Sequence, residues 1–212
     1  MRMQINAAFV FGVTGFLSAC GGGGGHDALA EARFLAQSLE TAEFAEITVA
    51  ELPPSARMRG IVGAELLKPG ETVGDQALLG TTEFVADFTT GRLSGSATDF
   101  ALYEVAGTQD ETNPGVKVAT LGGSLPVSGT IRGVTFDYTA TGTLSGPAAS
   151  GGTAPIATTL VTGTTPATTA GFAKANGQLV AVGDVSGTFI PAPGSSLAGG
   201  TLQDGVLLVT RR

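Results

Sequence analysis

Cys20 and His26 are the only cysteine and the only histidine of the 212-residue chain, and five consecutive glycines separate them. A thiol can act as nucleophile, metal ligand, disulfide partner or point of attachment. A single cysteine excludes an internal disulfide framework and any zinc cluster built from cysteines. The residues before it choose among the rest. In "MRMQINAAFVFGVTGFLSAC" one positive side chain, Arg2, precedes a mostly apolar run over residues 7–17, and small residues follow. This is the layout of a secretory signal, with an apolar segment too short to span a bilayer stably.

Leu17, Ser18, Ala19 and Cys20 match the bacterial lipobox, with cleavage between Ala19 and Cys20. In proteins that carry this motif the thiol receives a diacylglyceryl group and the new N-terminus is acylated, typically with palmitate. The chemistry explains the residue types: the peptidase accepts only small side chains before the cut, and only a thiol forms the thioether. Several acyl chains, at about 0.8 kcal/mol per buried methylene, make the attachment effectively permanent. The competing reading is an uncleaved apolar helix with an incidental cysteine.

The glycines at 21–25 admit two roles. A phosphate cradle needs a preceding strand, spaced glycines and a Lys-Ser/Thr pair or a following dinucleotide unit. None of these is present, so the run reads as a tether, with an r.m.s. reach of about 5–6 Å times the square root of its length. Gly21 stands where many inner-membrane lipoproteins carry Asp, so the expected address is the outer membrane, lipid-anchored and open to cell-surface display. Residues 1–19 are then the signal peptide, and 20–26 the lipidated cysteine and tether.

Little catalytic chemistry is left. A Ser-His-acid triad would need His26, which sits on the tether beside the anchor. Asp87 and Asp137 form a nominal carboxylate pair, but both stand next to turns, where capping and solubility explain them. No EF-hand spacing or histidine pair supports a metal site, and no cofactor motif is present. Tyr103, Tyr138 and Phe189 are candidates to line a ligand cavity, with core packing the preferred role for each. The expectation is a non-enzymatic protein. Net charge is −7 with pI about 4.6, and the basic residues are scattered singly except for Arg211 and Arg212. Nucleic acid is therefore an unsuitable partner, and an acidic surface weakly favours a basic protein or cationic ligand.

The elements that carry these residues read as mainly β. Aromatics are 6% and tryptophan is absent, while 33 glycines punctuate the chain, a composition for strands and tight turns. One stretch, from Asp27 to about Glu46, suits a short helix capped by Asp27, with Leu29, Ala32, Ala36, Leu39 and Phe44 as its apolar stripe. It is expected to pack on or plug the domain, with a partner-binding helix as the alternative. Residues 27–52 form this helix and a linker, which Pro53 and Pro54 end.

From residue 57 to 210, about eight short strands are expected, in "RGIVGAELL", "TTEFVADFTTGRLSGSA", "TDFALYEV", "VKVATL" and later segments. A loop is expected at "GTQDETNPG". Residues 145–170 read as a low-complexity loop with one weak strand. Two echoes stand out. Asp87-Phe88-Thr89 with Gly91 and Leu93-Ser94-Gly95 matches Asp137-Tyr138-Thr139 with Gly142 and Leu144-Ser145-Gly146, suggesting a repeated hairpin. Val127-Ser128-Gly129-Thr130-Ile131 matches Val185-Ser186-Gly187-Thr188-Phe189. The pattern predicts a small antiparallel eight-stranded barrel, with a β-sandwich as the alternative and Gly95, Gly133, Gly146 and Gly187 as shape residues. A membrane-spanning barrel needs longer apolar outer faces.

The lipobox with "CGGGGG", the stretch "FVADFTTGRLSG" and the late "VSGTFIPAPGSSLAGG" resemble the barrel lobe of transferrin-binding-protein-B-like surface lipoproteins. Gly187-Thr188-Phe189 and Ala198-Gly199-Gly200 match that family's late motif, while Pro191-Ala192-Pro193-Gly194 replaces its Tyr-Gly-Pro. The resemblance covers residues 57–210. It implies an eight-stranded barrel on an outer-membrane lipoprotein, in a family that binds host iron proteins, haem proteins or complement regulators. The partner classes expected are thus the outer membrane, through the anchor, and an extracellular or host protein. A structural envelope lipoprotein without a soluble ligand is the alternative.

Overall fold

The computed structural model describes Leu35 and residues 42–72, 74–104, 116–162 and 170–212. Twelve strands form one antiparallel sheet that closes on itself. In chain order they are β1 (Phe44–Ala45), β2 (Ser55–Leu67), β3 (Gln76–Asp87), β4 (Arg92–Glu104), β5 (Val116–Thr120) and β6 (Leu125–Arg132). Then follow β7 (Thr135–Phe136), β8 (Tyr138–Pro147), β9 (Thr153–Thr162), β10 (Ala170–Ala175), β11 (Gln178–Pro191) and β12 (Gly200–Arg211).

Eight staves emerge because three of them are interrupted. β4 pairs with β5 near Glu104 and with β6 near Arg92. β11 pairs with β10 over Gln178–Gly183 and with β9 over Ser186–Pro191. β7 and β8 likewise share one stave, with Asp137 between them. The staves run up and down in sequence order, and β12 pairs back to β2 from Thr201↔Leu67 to Arg211↔Met58. Closure removes the long open edges that a flat sheet of this length would expose.

Alternation sets the inside. Met58, Val62, Phe84, Phe100, Leu102, Tyr138, Leu160, Ala181, Phe189 and Val209 are almost wholly buried in one core. Charged residues such as Arg57, Glu83 and Asp87 occupy the outer face, a polarity opposite to that of a membrane-spanning barrel. The Val-Ser-Gly-Thr echo has a structural meaning. Val127 and Val185 point inward, as do Ile131 and Phe189. Between them, a Cβ on Gly129 or Gly187 would run into the carbonyl of Asp137 or Thr159 on the next stave. Only glycine lets staves approach so closely at this curvature.

The other echo is not a repeated hairpin. Asp87 ends β3, and its Oδ1 accepts from the Thr89 and Thr90 amides, closing the turn at 88–91. Asp137 sits between β7 and β8, and the residues matched to the first turn run straight through β8. Ten continuous pairs with β9, Tyr138↔Thr162 to Pro147↔Thr153, hold that segment extended and override the local glycine signal. Two further expectations change. The expected strand "TDFALYEV", as far as Glu104, continues β4 past a bulge at Asp99 (φ 55°) and is not separate, and "TAPIATTLVT" within the low-complexity stretch is the regular strand β9.

The helix expected from Asp27 lies mostly outside the described residues, as does the loop at 107–115. Leu35 is buried on the outer wall with Ile61, Ala173, Ala175, Val180 and Leu208, and no helix spans the described residues of this stretch. The last part of that expectation is corrected. Phe44–Ala45 is a strand on β10, because pairing Phe44↔Ala175 and seating Phe44 on the wall outweigh helix propensity.

Candidate functional site

The barrel has two unlike ends, joined by an interior lined with large buried side chains. Phe84, Phe100, Tyr138 and Phe189 are among the largest fully buried side chains. Tyr138 shares a hydrogen bond with Thr82 (3.3 Å) inside, and burial pushes its hydroxyl well above the ordinary phenol range. Tyr138 and Phe189 are therefore core residues. Tyr103 is not in that core: it lies on the outer wall with Ala101 and Leu79, and the Lys117 ammonium stands 5.8 Å from its ring centroid.

One end is built from tight turns at 88–91, 133–134 and 176–177. Asn176 (φ 49°) and Gly177 (φ 78°) form the Asn-Gly hairpin turn between β10 and β11. The chain enters here. The Glu43 amide donates to Asn176 Oδ1 (3.1 Å), and the Asn176 amide donates to the Glu43 carbonyl. Ile47 drops into the core, beside a run of rings in which Phe88–Phe172 and Phe136–Phe172 centroids lie 4.9 and 4.8 Å apart. Lys174 bonds Glu51 at 2.6 Å and, with the Thr48 amide and hydroxyl, holds that carboxyl down at about 2. This end is plugged.

The other end carries the longer connections at 68–75, 148–152 and 192–199. Between the first and the last of these lies a cleft of about 920 Å³, open to solvent. Strand register explains its floor. Leu67 faces outward opposite Thr201, and Thr201 lies opposite Thr188. Ile190, two residues on, is 58% exposed on the same face. The walls are tied down. Lys68 Nζ bonds Asp75 Oδ1 at 2.5 Å, and its amide donates to Glu71 Oε2. Across the cleft, the Ser196 hydroxyl and amide donate to the Pro147 carbonyl, the Ala192 amide to Pro155 and the Ala149 amide to Gly194. Prolines 69, 191 and 193 stiffen both rims.

Charge is distributed unequally as well. Among the described residues, this half carries Glu65, Glu71, Asp75, Asp99, Glu104 and Asp204 against Lys68 and Lys117. Glu65 faces outward two residues before Leu67. Partial burial, with the nearby charge of Asp204, raises its pKa above the usual carboxylate value.

Of the residues marked out by sequence, Ala19, Cys20 and His26 lie outside the described residues. Asp87 and Asp137 are not brought together; Asp87 caps a turn, and Asp137 pairs with Arg132 (3.1 Å) and accepts from the Thr130 amide. Sequence reasoning missed Leu67, Ile190, Glu65 and Asp204. The only signal for them was the Pro-Ala-Pro-Gly stretch at 191–194, which announces a stiff loop after a strand. Among the described residues no three His, Cys, Asp or Glu gather as a metal site, and no helix is long and apolar enough to cross a membrane. Comparison with protein-family models, with curated proteins and with solved structures finds no match for this chain.

Proposed function

We propose that this protein is a non-enzymatic lipoprotein of the bacterial outer membrane, anchored through Cys20, that displays its barrel for binding a protein ligand. The observation that carries this reading is the sequence Leu17-Ser18-Ala19-Cys20 followed by the glycine tether. Tyr138, Phe84 and Phe189 are fully buried in the core, so the ligand is sought on the outer surface. Membership of the transferrin-binding-protein-B-like lipoproteins belongs to the same proposal.

The test is metabolic labelling with radioactive palmitate in a bacterial host. The wild-type chain takes up label and Cys20→Ala does not. Equal labelling of both refutes the anchor.

A further inference from the structure

We propose that the cleft between the 68–75 and 192–199 connections is a docking groove for a basic segment of a partner protein. Its apolar side chains would lie on Leu67, Ile190 and Leu197, and a cationic side chain would meet Glu65 and Asp204. The inference deepens the binding role proposed above by naming the surface and the chemistry of the partner.

Three observations carry it. First, Ile190 is 58% exposed on a regular strand, on the same outer face as half-buried Leu67, where a soluble barrel would ordinarily place a polar residue. Second, both walls are fixed by the hydrogen bonds at Lys68, Ala192 and Ser196 and by prolines, so little ordering is required on binding. Third, Glu65 flanks the cleft on the outer face, two residues before Leu67 and opposite Gln203, with exposed Asp204 next along the chain; neither carboxylate has an ion-pair partner among the described residues, whereas Lys68 already has Asp75. An incoming ammonium or guanidinium would find two carboxylates there without a competing cation. The open form of the cleft favours a chain segment over a small molecule, which needs most of its surface enclosed. The acidic surroundings exclude nucleic acid.

The test is fluorescence anisotropy of the full chain with labelled nonamers of alternating Lys–Ile, alternating Glu–Ile and alternating Lys–Ser. The Lys–Ile peptide binds best. Ile190→Asp weakens it about tenfold or more, and the double change Glu65→Gln with Asp204→Asn weakens it several-fold. Val85→Asp, at the opposite end, leaves it unchanged. Circular dichroism melts of each variant confirm that the barrel is intact. Equal binding of Lys–Ser or Glu–Ile peptides, or indifference to Ile190→Asp, overturns the proposal. So does concentration-dependent dimerisation abolished by Ile190→Asp, since the groove would then serve a second copy. Palmitate labelling plays no part in these readings, so the groove and the anchor can fail separately.

Discussion

The two ends of the barrel solve opposite problems with the same staves. At the tight-turn end, Phe84, Phe88, Phe136 and Phe172 stack beneath Ile47, and the entering strand is sewn to β10. Aromatic surface there is spent on stability, although Val49 and Val85 stay exposed. At the long-loop end, Leu67 and Ile190 keep apolar surface in contact with water while hydrogen bonds hold the loops around it. A protein folded only for stability gains nothing from that arrangement. The difference separates what holds the molecule together from what is free to bind.

Substitutions at each end can break or sharpen this contrast. Phe84→Ala removes a ring that is 1% exposed and touches both Phe136 and Tyr138, and should cost about 4 kcal/mol in chemical denaturation. Ile47→Ala withdraws the plug and should cost about 3 kcal/mol. A loss under 1 kcal/mol would mean that the entering segment merely rests on the barrel. Tyr138→Phe leaves the Thr82 hydroxyl with only a long contact to the Ser96 carbonyl (3.5 Å) and should cost about 1 kcal/mol.

A smaller effect is expected from acid. Glu51 is held at about 2, below its ordinary value near 4.5. A carboxyl depressed by folding contributes stability that is complete above its unfolded pKa and is lost as pH falls through the folded one. The advantage of wild type over Glu51→Gln should therefore shrink between pH 4.5 and 2 in thermal melts. The side chain is exposed, so salt should reduce the difference. Smallest of all, Ile190→Ser should leave the melt within about 0.5 kcal/mol of wild type, because an exposed residue holds nothing together. A large loss would recast the groove as part of the core.

Sequence made much of this legible. Alternation at Phe84 and Ala86 against Val85 and Asp87 gave the pleat, and the glycine punctuation gave a closed antiparallel barrel. The Val-Ser-Gly-Thr echo marked two close approaches of neighbouring staves. The Asp-aromatic-Thr echo misled, because a turn signal and a curved strand draw on the same residues and only long-range pairing decides between them. Interrupted staves were hidden for the same reason: β9 and β10 are joined through β11, not through their own sequence. The groove was the least legible feature. Leu67 and Ile190 are 123 residues apart, share a floor only after β12 has paired between β2 and β11, and look like any other apolar strand residues until burial is known.

The central claim is that binding belongs to the long-loop end and neither to the interior nor to the plugged end. Amide chemical-shift mapping of the isotope-labelled full chain during titration with the Lys–Ile nonamer tests it most directly. The account predicts shifts confined to residues 65–71, 188–201 and Asp204. Shifts centred on Tyr138 and Phe100, or on Ile47, Phe88 and Phe172, would contradict it.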